Sequence, residues 1–186
     1  MTDQPDGPEL VPQDGIAVTD RLARLWTPHR MAYIIEAAEA GGLEDEGCPF
    51  CRIPTMSDGE GLVLTRGEHG YAVLNLHPYN PGHLMVVPYR HVGELEELTA
   101  AEAGELMALT QDAVRAIKNT SSPHGFNVGL NLGGVAGGSL SDHLHQHVVP
   151  RWSGDANFIT VLASTKVIPQ LLSETRQLLA DAWPVD

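Results

Sequence analysis

The chain has 186 residues, 42% of them hydrophobic and 19% charged, which supplies one buried core and excludes both global disorder and two large domains. Eleven Lys and Arg against 24 Asp and Glu leave a net charge of −13, so a nucleic-acid polymer or an anionic membrane surface is a poor partner. No apolar run approaches the roughly 20 residues that a membrane-spanning helix needs.

In chain order, residues 1–20 hold three Pro, two Gly and five acids with little apolar periodicity, and are expected to form a mobile acidic arm. The arm carries no base, the reverse of a secretory signal, so a cytoplasmic location is expected. Residues 21–186 read as a single domain with a C-terminal helical extension. Thr27-Pro28 offers a cap and a first-turn proline for a helix running toward Gly41-Gly42. The knuckle Cys48-Pro49-Phe50-Cys51 follows. Three extended segments come next, Leu62 to Arg66, Tyr71 to Leu76 and Leu84 to Pro88, separated by Gly- or Pro-bearing turns and predicted to form an antiparallel meander. Thr99-Ala100-Ala101-Glu102 matches a capping box and should open a long helix whose stripe is Leu106, Leu109, Ala113 and Ile117. Phe126 to Leu132 and Leu144 to Val149 are two further strands, joined by a loop rich in glycine. Val167 to Ala180 is a last amphipathic stretch, with Ile168, Leu171, Leu172, Thr175 and Leu179 on one side. The predicted class is α+β: about five antiparallel strands, a long helix between the third and fourth, and a C-terminal helix.

The segment that carries chemistry is His143-Leu144-His145-Gln146-His147-Val148-Val149. On a strand, alternate residues share a face, which would align three imidazoles roughly 6–7 Å apart at about 3.3 Å rise per residue. Gln146 then points away from that face, toward packing or a subunit contact. Just upstream, Gly133, Gly134, Gly137, Gly138 and Ser139 allow backbone amides to line an anion site. Such a neutral cradle suits a chain with only two lysines, Lys118 and Lys166. Phosphate chemistry beside a row of nucleophiles and proton donors is the reading that joins the two features. Cys48 and Cys51, the only cysteines, are either half of a metal site or a redox pair, and no thioredoxin-like strand and helix surround them.

Positions 143–149 resemble the histidine-triad (HIT) nucleotide hydrolases and transferases, whose signature alternates His with apolar residues; Gln146 is the one departure. Tyr71 to Asn75, Asn80 to Pro88, Asn127 to Gly133 and Ala136 to Ser139 extend the resemblance over roughly residues 46–152. Gly137 to Leu140 and Pro150 to Phe158 look most like the branch that phosphorolyses diadenosine tetraphosphate. The resemblance implies the histidine-triad half-barrel fold, an adenosine polyphosphate substrate and inorganic phosphate as acceptor. It also implies a homodimer or higher homo-oligomer. His145 would be the nucleophile that carries the nucleotidyl group, and His147 would contact the leaving oxygen. Gly138 and Ser139 would hold non-bridging oxygens, Asn75 and Asn131 the ribose or phosphate, and Trp152 is a candidate to stack on adenine. Relatives with a C-x-x-C complete a Cys2His2 zinc site with two histidines, here His91 and His143, so a structural zinc that chemistry does not require is expected. A hydrolase of the same family, with water as acceptor, is the nearest competing reading. A metal-dependent enzyme using the His-x-His pair and a nucleotide-binding regulator without turnover stand further off.

Overall fold

The computed structural model describes residues 47–137, 140–155 and 168–184. The predicted N-terminal arm and the helix expected after Thr27 lie outside the described residues, as do Gly138 and Ser139. The elements are α1 (Pro49–Arg52), β1 (Val63–Arg66), β2 (Gly70–Leu74), β3 (Leu84–Pro88), α2 (Ala100–Ser121), β4 (Gly125–Leu130), β5 (Gln146–Arg151) and α3 (Leu172–Asp181). Five strands form one sheet in the order β1-β2-β3-β5-β4, and every neighbouring pair is antiparallel. This is the predicted α+β class, with the long helix between the third and fourth strands.

The capping box exists as atoms. Thr99 Oγ1 accepts from the Glu102 amide at 3.2 Å, and Glu102 Oε2 accepts from the Thr99 amide at 2.8 Å. Two amides that the first turn leaves free are thereby satisfied. Arg90 forks onto the same carboxylate, both contacts at 2.9 Å, and ties the helix start to the chain beyond β3. Leu106, Leu109, Ala113 and Ile117 pack on Leu64, Ala72, Leu74, Leu84, Val86 and Val148, and Leu179 of α3 closes that core. The opposite face of the sheet buries Val63, Tyr71, Val73, Met85 and Val87 with Cys48 and Phe50. One sheet face is therefore occupied by α2, and the other carries the knuckle and the imidazoles.

β2 and β4 each end two residues short of the expected Leu76 and Leu132, at Leu74 and Leu130, and two other boundaries differ more. β5 begins at Gln146, so His143 and His145 precede the strand rather than sit in it. The cause is local: Leu144 donates its amide to the Val92 carbonyl at 2.6 Å, and β3 pairs with β5 only from Leu84↔Val148 to Val86↔Gln146. A β-carbon at Gly93 would lie 3.0 Å from the Ser141 carbonyl oxygen and 3.2 Å from Asp142 Cα, so the two backbones touch where a side chain would part them. At the C-terminus the helix starts at Leu172, after Pro169. Leu171 is its cap, 67% exposed rather than part of the apolar side, while Thr175 and Leu179 are buried as predicted. The expected start, Val167, lies outside the described residues.

Candidate active site

The three histidines of the motif divide between two tasks. His145 and His147 stand with ring centroids 4.9 Å apart, edge to face at 75°, closer than the flat-strand spacing predicted. His143 turns away into the sulfur cluster described below, because the bend before β5 breaks the alternation that would have kept it on the same face.

Main-chain groups decide which nitrogen of each ring carries the proton. The His143 carbonyl can only accept, so at 2.8 Å it takes a hydrogen bond from His145 Nδ1–H and leaves a lone pair on His145 Nε2. The Tyr79 amide can only donate; it gives its proton to His83 Nδ1 at 3.0 Å. His83 therefore carries its proton on Nε2 and donates to His147 Nδ1 at 2.9 Å. The remaining nitrogen of His147, Nε2, is then the protonated one, and Asn131 lies 3.4 Å from it with its amide free to turn its oxygen there. A nucleophilic lone pair and an N–H donor thus stand side by side.

Burial keeps these rings neutral. It lowers the pKa of His145, lowers His147 to about 4 with a further contribution from His145, and lowers His83 to about 3 with contributions from His147 and His145. Phe50 packs on His145 with centroids 4.9 Å apart. His145 and His147 open onto a cavity of about 570 Å³ whose walls include Phe50, Ile53, Leu62, Asn75, Met85 and Asn131. That size and its apolar lining with a few amides suit a nucleoside.

Of the other predicted residues, Asn75 lines this cavity and accepts from the His77 amide at 2.9 Å. Gly133 and Gly137 both adopt positive φ, 74° and 96°, which L side chains resist, so the loop before Gly138 takes its shape from glycine. Trp152 donates its indole N–H to the Ser121 carbonyl at 3.3 Å, at the end of α2, and does not line this cavity. Gln146 points away from the imidazoles as expected and donates to Thr110 of α2 at 2.8 Å.

His83, Tyr79 and Phe50 were not singled out from the sequence. Strand parity could have found His83, since it stands two residues before Met85, the partner of His147 across the sheet. The Tyr79 contribution is a backbone amide and leaves no mark in residue type.

The second site is a cluster of Cys48, Cys51, His91 and His143, whose ligand atoms all lie within 4.8 Å of one another. His143 Nε2–H donates to the Pro88 carbonyl at 2.9 Å, which turns its Nδ1 lone pair toward the sulfurs. Nδ1 lies 3.3 Å from Cys48 Sγ and 3.4 Å from Cys51 Sγ, and His91 Nδ1 lies 3.2 Å from Cys51 Sγ. A tetrahedral zinc with bonds of about 2.3 Å to sulfur and about 2.0 Å to nitrogen has N···S edges of roughly 3.5 Å. The four residues fit such an ion, and the cluster could hold a metal.

Comparison with known proteins agrees with this geometry. The HIT domain profile matches residues 59–154. AP-4-A phosphorylase of Mycobacterium tuberculosis is 63% identical over 172 residues, which span 91% of this chain and 88% of that protein. A Zn-bound histidine triad family protein from Mycobacterium smegmatis superposes with a TM-score of 0.59 at 26% identity, over 75% of this chain and 94% of its own. A hypothetical histidine triad nucleotide-binding protein from Sulfolobus tokodaii gives 0.59 at 25% identity, over 73% and 91%. Triad motif, sheet order and these likenesses agree, and the chain belongs to the HIT domain family.

Proposed function

We propose that this chain is a diadenosine tetraphosphate phosphorylase that transfers a nucleotidyl group through His145 to inorganic phosphate. The observation that carries the transfer is the pairing of a bare His145 Nε2 with His147 Nε2–H on one cavity wall. The choice of phosphate as acceptor is supported by the 63% identical AP-4-A phosphorylase. In the first step His145 Nε2 bonds to the α-phosphorus, the bond from that phosphorus to the bridging oxygen breaks, and ATP leaves with the electron pair. His147 Nε2–H hydrogen-bonds the departing oxygen, and the proton of His145 stays on Nδ1, hydrogen-bonded to the His143 carbonyl. A phosphate oxygen then displaces the imidazole, releasing ADP and restoring His145. Gly138 and Ser139, assigned from the motif, would steady the non-bridging oxygens.

The same reading includes a structural zinc on Cys48, Cys51, His91 and His143. It is supported by the fit of the four ligand atoms and by the zinc bound to the M. smegmatis relative. When bound, the ion ties the knuckle to the bend before β5; the transfer itself uses this chain's imidazoles. The reading also includes a homo-oligomer, supported by the place of β4 as an edge strand among the described residues, where Val128 is 47% exposed. No helix among the described residues is long and apolar enough to cross a membrane, and a cytoplasmic enzyme is part of the proposal.

The test is incubation with diadenosine tetraphosphate, with and without inorganic phosphate, and separation of the products. ADP plus ATP, formed only with phosphate, is expected. AMP plus ATP at equal rates in both would overturn the phosphorylase in favour of a hydrolase, and no product at all would overturn the enzyme.

A further inference from the structure

A second cavity, of about 400 Å³, opens on the same sheet face beyond His147, over β4 and β5. Tyr79, Asn131 and His147 line both cavities, so the second begins where the first ends. We propose that it is the subsite for the second nucleoside, base and ribose, of a dinucleoside polyphosphate. The proposal rests on the nucleotidyl-transfer reading and adds to it a place for the half of the substrate that departs.

Four observations carry it. The first is position. A phosphate chain attached at its α-phosphorus to His145 and passing His147 leads from one cavity to the other, and His147 is the residue that would meet its bridging oxygen. The second is size, which falls in the range of small-molecule sites, far more than one phosphate group fills.

The third is charge. Arg151 is the cation on this wall, and it is already engaged. Its Nε and Nη2 fork onto Asp155 at 2.6 and 3.0 Å, and its Nη1 donates to Asn127 Oδ1 at 2.8 Å. Asp155 also accepts from Asn80 Nδ2 at 2.7 Å, and these bonds hold it ionised, well below the usual carboxylate range. A wall whose cation is paired with Asp155 offers a free phosphate no net positive charge, whereas a neutral heterocycle meets the amides of Asn127 and Asn131 and the apolar Val149.

The fourth is shape. Tyr79 is 58% exposed while its backbone amide is held by His83, and its ring plane lies at 24° to the His147 ring. An aromatic face held open beside a cavity is a platform for a base. On the floor, Gly129 stands opposite His147 in register, and a β-carbon built there meets nothing within 4 Å. Any side chain at 129 would rise into the space the base is to occupy.

The experiment compares diadenosine tetraphosphate with adenosine 5′-tetraphosphate, which has the same phosphate chain and one nucleoside. In Gly129→Phe, the ratio of kcat/KM for the dinucleoside over the mononucleoside should fall at least about tenfold. In Tyr79→Ala, which keeps the backbone amide, it should fall about three- to tenfold. Ratios within twofold of the parent in both variants overturn the subsite. Should Gly129→Phe fail to fold, Tyr79→Ala decides alone. Calorimetric affinities of the two compounds, with a non-hydrolysable bridge in the dinucleoside, give a readout independent of turnover. If the parent binds the dinucleoside no more tightly than the mononucleoside, the subsite is overturned. If it binds more tightly and Gly129→Phe removes that advantage, the subsite stands even where turnover is absent and the phosphorylase reading has failed.

Discussion

Replacing Thr110 by Val tests how the triad strand is fastened to the long helix. Gln146, 8% exposed, donates from Nε2 to Thr110 Oγ1, itself in a residue only 4% exposed, and that hydroxyl spends its own proton on the Leu106 carbonyl at 2.7 Å. Val has nearly the volume of Thr, so Thr110→Val opens no cavity; it leaves a buried amide without an acceptor, at a cost of about 1–3 kcal/mol. Gln146→Leu removes the needy donor and leaves Thr110 bonded to Leu106, so it should cost about 1 kcal/mol or less. The double variant has no orphan and gains apolar contact, so it should return to within about 1 kcal/mol of the parent. The difference is a coupling of about 1–2 kcal/mol, measurable by urea unfolding of all four proteins. Additivity to within about 0.5 kcal/mol would refute the claim that this hydrogen bond is the fastening.

Three further outcomes are expected. His145→Ala should fold with unchanged circular dichroism and lose at least about 10³-fold in kcat, since His147 beside it presents an N–H rather than a lone pair; a tenth of the activity remaining would remove it as nucleophile. Because burial lowers the pKa of His147 to about 4 and of His83 to about 3, both are neutral above pH 6, and kcat/KM should be flat there and fall below about pH 5. The same sign governs stability: the unfolded chain takes up protons first, so stability is full above about pH 6.5 and declines as the pH falls toward 4, which acid unfolding at fixed urea will show, and a rise on acidification would contradict it. Purified without chelator or affinity histidines, the protein should hold about one zinc per chain, and stripping it should lower Tm by at least about 5 °C; under a tenth of an equivalent, with both thiols titratable, would refute the site.

Legibility in the sequence followed the range of the interaction. The capping box at Thr99 and Glu102, the meander and the stripe of α2 are local patterns, and each stands within two residues of where those patterns placed it. The four residues of the sulfur–imidazole cluster were reachable through family resemblance. What periodicity could not reach was the start of β5. Alternation holds only while the chain stays in the sheet, and the bond from Leu144 to Val92, 52 residues away, takes His143 and His145 out of it. His83 escaped for a related reason: its partner His147 lies 64 residues on, and its orienting donor is a main-chain amide.

That reliance on main-chain groups bears on how the site tolerates sequence drift. Three orientations in the two centres are set by the carbonyls of Pro88 and His143 and by the amide of Tyr79. A carbonyl belongs to every residue, so no point substitution at 88 or 143 deletes the acceptor, and at 79 only proline would remove the donor. The protonation pattern is thus inherited with the chain path rather than with residue identity. Relatives whose side chains differ at 79 and 143 can share it wherever the loop keeps its length, and an insertion of one residue between 79 and 83 threatens it more than most replacements there.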